Sequence, residues 1–379
     1  MSEWTTQRLE EIIQVNPTVK LTKGEVYPFI DIDKVSPTLR SVTNEEEKVY
    51  DGQSCSKFCN GDTVFSRITP CLENRKIAKV SINGQAGFGS TEFYIFRAKQ
   101  GKSDENFVYY LTSSDAVVLP AINSMTGASG RQRADKRFIE RTKLNVPDLP
   151  TQKRIADILS TYDDLIENNN RRIALLEKAA QELYKEWFVR FRFPGYENTK
   201  FENGLPEGWE IKKLSEISEF VYGKMPNSTL VSDEGYPIFS GYRVSGYYPE
   251  YMYEDKQLVL IARGVGGTGD VKLSPPKAYI TNLAIVFLLK NNVYQQYLFH
   301  TYSLSNLRYL DTGAAQSQIT IENLKRVKVV CPTVSVLDEF NHFVLDIENQ
   351  IQKLLDKNKN LAKQRDLLLP RLMSGKLEV

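Results

Sequence analysis

Histidine is almost absent. Only His300 and His342 occur in 379 residues, and both lie far from the cysteines of the first half, Cys55, Cys59 and Cys71. A structural zinc site needs four closely placed Cys or His ligands, so these thiols read as ordinary reduced cysteines and no metal site is expected. Two isolated histidines also leave no paired acid, base and nucleophile, and the chain is expected to carry no active site. Long apolar runs are missing too. The longest, "LAIVFLL" at residues 283–289, suits a buried strand and is far too short to span a bilayer. The first residues are polar and acidic where a secretion signal needs an apolar stretch. With the reduced thiols, this gives the expectation of a cytoplasmic protein without membrane contact. Charge of one sign is also lacking: the formal net charge is +2, so a nucleic-acid surface must be a local patch. The one glycine-rich run, "GVGGTGDV" at 264–271, lacks the Lys-Ser/Thr ending of a phosphate loop and reads as a turn.

What is present is a repeat. "SEWTTQRLEEI" at the start returns as "LPEGWEIKKLSEI", so that Trp4, Leu9, Glu11 and Ile12 fall on Trp209, Leu214, Glu216 and Ile217. Further matches follow in the same order. "YPFI" at Tyr27 meets "YPIF" at Tyr236, and "TVFSR" ending at Arg67 meets "LVLIAR" ending at Arg263. "STEFYIF" meets "ITNLAIVF", "TGAS" at 126–129 meets "TGAA" at 312–315, and "RTKLNVPDLP" from Arg141 meets "RVKVVCPTVS" from Arg326. A collinear series of this kind implies one structural unit written twice, which fits the two domains expected for this length. Short Val-, Ile-, Tyr- and Phe-rich segments between Gly, Pro and Asn turns make each unit a mixed α+β domain.

Each unit ends in a long helical pattern. Ile155, Leu159, Tyr162, Ile166, Asn169, Ile173, Leu176, Ala180, Leu183 and Trp187 recur in steps of four and three; the second series includes Ile347, Ile351, Leu354, Asn358 and Leu361, with Arg365 as a polar break. A period of 3.5 marks a coiled-coil seam. The two helices are therefore expected to pair antiparallel about a pseudo-twofold axis, with Asn169 and Asn358 fixing the register; the alternative is that each packs only on its own domain. A helix of ~40 residues spans roughly 60 Å. Ser335 with Asp338 resembles a capping box at the start of the second helix, and Pro370 is expected to stop it near Leu369. The resulting boundaries are a first domain at 1–148, a helix at 149–191, a linker at 192–204, a second domain at 205–333, and a final helix and tail at 334–379.

Two stretches suit nucleic acid. "GRQRADKRFIERTK" carries Arg131, Gln132, Arg133 and Lys136, and its counterpart "QSQITIENLKRVK" carries Gln316 and Gln318. Arg and Lys neutralise phosphates, and Arg and Gln also read base edges; a solvated charged helix is the plain alternative. In "FSGYRVSGYYPEYMYEDK", tyrosines flank Arg243, beginning with Tyr242, a composition that suits DNA or a protein interface. Arg67 and Arg263 end strands at equivalent places in the two units.

The chain closely resembles the specificity subunit of type I restriction-modification systems. The residues that carry the resemblance are "LPTQKRIADILSTYDDLIENNNRRIALLEKAAQELYKEWFVRF" from Leu149, the second opening "LPEGWEIKKLSEI", and the ending "LLLPRLMSGKLEV". The resemblance implies two target recognition domains, each reading one half of a bipartite, asymmetric double-stranded DNA sequence. It also implies conserved helices that recruit two modification (methyltransferase) subunits, which are joined by restriction subunits. S-adenosylmethionine, ATP and Mg are expected on those partners and not on this chain. The competing reading is a coiled-coil scaffold that tethers two protein-binding domains and touches no DNA.

Overall fold

The computed structural model describes residues 4–44, 46–264, 267–311 and 317–379. The chain forms two compact units, Met1–Arg172 with Lys353–Val379, and Ile173–Gln352. The division falls inside both long helices, so each unit holds a piece of each, whereas the sequence reading set the helices apart.

The repeat in sequence is a repeat in topology. In the first unit Trp4–Arg8 pairs antiparallel with Lys143–Pro147, and in the second Glu210–Lys213 pairs with Lys328–Cys331. A one-turn helix follows each opening strand, Leu9–Ile12 and Leu214–Ile217. The repeated glutamates cap these helices: Arg8 N–H donates to Glu11 at 2.8 Å and Lys213 N–H to Glu216 at 2.6 Å. Leu9 and Leu214 are fully buried, so each turn is pinned from inside as well.

A main sheet comes next. Its order in the first unit is Ile13–Val15, Phe93–Ala98, Thr63–Ser66, Ile77–Ser81 and Ser41–Thr43. The second unit repeats the first four as Ser218–Tyr222, Ala284–Leu289, Leu258–Ile261 and Val271–Leu273. Beside it, Val26–Ile30 pairs parallel with Ala86–Gly89, just as Tyr236–Phe239 does with Tyr279–Ile280. The central strands "TVFS" and "LVLI" are buried on both faces, which is why they read as continuous apolar runs.

The two opening tryptophans, Trp4 and Trp209, are each seated by residues that follow a long helix. In the second unit Phe188, Phe191 and Phe193 surround Trp209 at ring distances of 5.9, 5.5 and 5.3 Å. In the first unit the final residues Leu377 and Val379 join the core that holds Trp4. Gly375, at φ +71°, lies so near the Trp4 ring that a β-carbon there would come within 2.9 Å of it. Residues 192–204, expected as a linker, are folded. Phe193 is buried, and Asn203 and Gly204, both at positive φ, turn a small hairpin between Phe201–Glu202 and Leu205–Pro206.

The long helices run Leu149–Tyr184 and Val334–Met373. Their seams are buried or half-buried. Within the first unit they pair antiparallel: Asn169 Nδ2 donates to Asn358 Oδ1 at 2.8 Å, and Asn358 Nδ2 to Asn170 Oδ1 at 2.9 Å. The Arg365 break is an ion pair with Asp163, whose carboxylate also accepts from the Tyr110 hydroxyl. Burial, followed by the Asp163 charge, pushes the Tyr110 phenol far above its usual range. Ile155 and Leu159 share the domain core with Phe107 and Leu111, so the helix packs on its own domain as well as on its partner. Within the second unit Trp187 and Phe188 meet Phe340 at 5.9 and 4.9 Å, and Leu183 and Ile347 pack on the same core.

Two expectations about the second helix need correction. It begins at Val334, so Ser335 lies inside it and is not its cap. It also continues through Pro370 to Met373. Proline removes only the donor that would have met the Asp366 carbonyl, and beyond it Ser374, Gly375 and Leu377 N–H donate to the carbonyls of Pro370, Leu372 and Arg371 at 3.2 Å each. Leu372 and Met373 are buried beyond it, and that burial holds the last turn in helical form.

Candidate DNA interface

In the first unit the charged stretch is not one helix. Asp135 caps a short helix, Lys136–Arg141, by accepting from Phe138 N–H at 2.7 Å, and the residues before it form a bridged turn. Ala134 N–H donates to Arg67 O at 2.8 Å, Thr69 N–H to Gln132 O at 3.0 Å, and Arg133 exchanges backbone bonds with Thr126 at 2.9 and 3.1 Å. This ladder brings Arg67 and Arg133 to one place, where they share Glu92. Arg133 grips that carboxylate with two nitrogens, Nε at 2.9 Å and Nη2 at 2.6 Å, and Arg67 Nε lies 3.2 Å from it. The Arg133 bond, with the charges of both arginines, holds the Glu92 carboxyl below the usual carboxylate range. Arg67 also lies over the Tyr94 ring at 5.4 Å, and Tyr94 is anchored by its hydroxyl on Ala134 O.

The other expected residues are more scattered. Lys136 pairs with Glu140 one turn on, Arg131 is exposed, and Gln132 is half-buried.

In the second unit Ile319 N–H donates to Ala262 O at 2.9 Å, and Arg263 is bridged to Gln318. Gln318 N–H is fixed by Asp311 at 2.8 Å. Gln316 and the "TGAA" segment lie outside the described residues. The backbone bonds correct one equivalence. Arg67 corresponds to Ala262, and Arg263 corresponds to Ile68, because the ladder is displaced by one residue from the sequence match. A one-residue shift turns a side chain to the other face, and Arg263 accordingly has different neighbours. Its guanidinium lies 5.6 Å from the Tyr222 ring centroid, and its Nε is buried without a hydrogen-bond partner among the described residues.

The Tyr242 hydroxyl donates to Arg263 O at 3.3 Å, and its ring lies against Gly264, where a β-carbon would clash with it. Arg243 is exposed at the turn before Val244–Tyr248. The tyrosines after it do not gather round it: Tyr248 packs on Tyr279 at 4.4 Å and Tyr251 on Tyr236 at 4.8 Å.

Sequence reasoning missed Glu92, Tyr94 and Tyr222. Glu92 lies 25 and 41 residues from the arginines it joins, and no local pattern signals a contact at that separation. Among the described residues no three of His, Cys, Asp and Glu come together where a metal ion could be held. No helix among them is long and apolar enough to cross a membrane.

Two copies of one α+β unit, each presenting arginine, amide and tyrosine side chains at the end of a buried central strand, define a protein of the two-domain nucleic-acid-reading class. A family model described as the type I restriction modification DNA specificity domain matches residues 1–178 and again residues 206–360. The chain belongs to that family. It is 24% identical over 417 residues to the type I restriction enzyme MjaIX specificity subunit of Methanocaldococcus jannaschii, covering 100% of this chain and 94% of that one. It is 21% identical over 412 residues to the HindI specificity subunit of Haemophilus influenzae, covering 86% and 88%. The crystal structure of the type I restriction-modification S subunit from M. genitalium shares the fold, with a TM-score of 0.58 at 15% identity over 98% of this chain and 96% of that one.

Proposed function

We propose that the chain gives a type I restriction-modification complex its DNA sequence specificity, each unit reading one half of a bipartite, asymmetric duplex target. The observation that carries this reading is the repeated frame with unlike contents. The same strand order and the same bridge recur in both units, while the residues at the bridge differ: Arg133 with Ile68 in one, Gln318 with Arg263 in the other. The long helices recruit two modification subunits, and restriction subunits join the assembly. S-adenosylmethionine, ATP and Mg belong to those partners, this chain is not itself an enzyme, and the complex works in the cytoplasm.

The test is selection from a randomised duplex library by the chain purified with its modification subunits. The expected result is enrichment of two unlike half-sites at fixed spacing, with log affinity falling by about 0.9 per phosphate neutralised as log salt rises. Absence of any enriched motif would overturn the reading.

A further inference from the structure

One backbone position is the same in both units and carries a different reading group in each. Arg133 is bridged to Ile68, and Gln318 is bridged to Arg263. The neighbouring bonds, Ala134 N–H to Arg67 O and Ile319 N–H to Ala262 O, fix the equivalence at 2.8 and 2.9 Å. We propose that this bridge position is the base-reading position of each unit, with Arg133 selecting guanine, Gln318 selecting adenine, and Glu92 acting as the positioning residue for Arg133. The inference rests on the DNA-reading function above and names its determinants.

The chemistry follows from which donors are occupied. Arginine has five N–H donors in a fixed fork. Arg133 commits its Nε and one edge of Nη2 to Glu92, at 2.9 and 2.6 Å. Its end-on edge, formed by Nη1 and the outer Nη2 hydrogen, is left without a partner among the described residues. Two parallel donors at that edge match O6 and N7 of guanine. A free arginine would have to be immobilised on binding, whereas the Glu92 clamp orders the guanidinium beforehand. The clamp also argues against a phosphate as the target, because a carboxylate beside a phosphate raises the cost of the approach, while the acceptors on a guanine edge are uncharged. In the second unit Gln318 has its backbone fixed by Asp311 at 2.8 Å. Its carboxamide, which bonds to no described residue, carries the donor and acceptor that pair with N7 and N6 of adenine.

The experiment is the same library selection, performed on the full complex carrying Arg133→Gln, Arg133→Lys, Glu92→Gln or Gln318→Arg, with the salt slope measured for each. Arg133→Gln is expected to lower the preference for one guanine in one half-site by about tenfold or more and to leave the other half-site intact. Arg133→Lys keeps the charge and loses the fork, so it is expected to lose the same guanine at an unchanged salt slope. Glu92→Gln should weaken that single preference, an effect that a general loss of stability cannot produce. Gln318→Arg should alter one adenine in the opposite half-site. A wild-type motif without guanine in one half and adenine in the other overturns the assignment, as do variants that leave every motif position unchanged. A uniform loss across all sequences with a salt slope reduced by about 0.9 also overturns it, since that result makes Arg133 a phosphate contact. A wild-type complex that enriches no motif overturns the proposed function, and this assignment with it.

Discussion

At the residue scale, burial decides chemistry more than identity does. His300 is buried against Tyr184 and Phe340, both at 5.9 Å, and burial lowers its pKa to about 4. Because its folded pKa is depressed, the unfolded chain takes up the proton first as pH falls. The stability that neutral His300 contributes is therefore intact above about pH 6.5 and lost progressively down to about pH 4, amounting to at most ~3 kcal/mol. Trp187 and Trp209 both lie in the second unit and report on its unfolding. The urea midpoint followed by their fluorescence is expected to fall less between pH 7 and pH 4.5 in His300→Phe than in wild type. Equal pH dependence in the two proteins would refute this account. The sequence singled out Arg133 and Gln318 as candidates by residue type alone. It did not identify Glu92, because a lone glutamate ahead of "FYIF" looks like any strand-end residue, and only the fold brings it to the arginines.

At the element scale, the seams were legible because a period of 3.5 persists over many turns and few other structures produce it. The polar break at Arg365 was legible only as a break. In the structure it meets Asp163, buried on the facing helix, and Tyr110 completes the group. Removing one partner of a buried pair leaves an uncompensated charge, which costs about 3–5 kcal/mol, whereas replacing both by apolar residues can be nearly neutral. Asp163→Ala is therefore expected to destabilise the first unit severely, and Asp163→Leu with Arg365→Met to recover most of the loss, as read by chemical denaturation. A double variant no more stable than the single one would show that the pair contributes more than mutual neutralisation. Asn169→Ala should cost about 1–3 kcal/mol, since it leaves Asn358 partly unsatisfied. The register of the ladder was not legible. The match of "TVFSR" with "LVLIAR" aligned two arginines that the hydrogen bonds place one residue apart, because sequence similarity tolerates a slip that a pleated sheet does not.

At the scale of the whole molecule, the repeat has a functional consequence. If each unit reads its own half-site, exchanging residues 218–312 for those of another family member should change one half of the selected motif and leave the other as it was. A change in both halves would refute independent reading. The second family match, over residues 206–360, begins close to the second opening, which is where the sequence repeat itself restarts.

The sequence by itself determined that there are two units of one kind and that each ends in a long amphipathic helix. These properties are periodic or compositional, and periodicity survives wherever buried faces must recur at fixed intervals. Tertiary structure alone decided which side chains meet. It joined Glu92 to Arg67 and Arg133 and Asp163 to Arg365, it bridged the backbones of Gln318 and Arg263, and it shifted Arg263 away from the place of Arg67. The partners in each case are separated by dozens to hundreds of residues. Their meeting depends on strand register and helix packing, which arise from the summed burial of many apolar side chains and leave no mark at any single position.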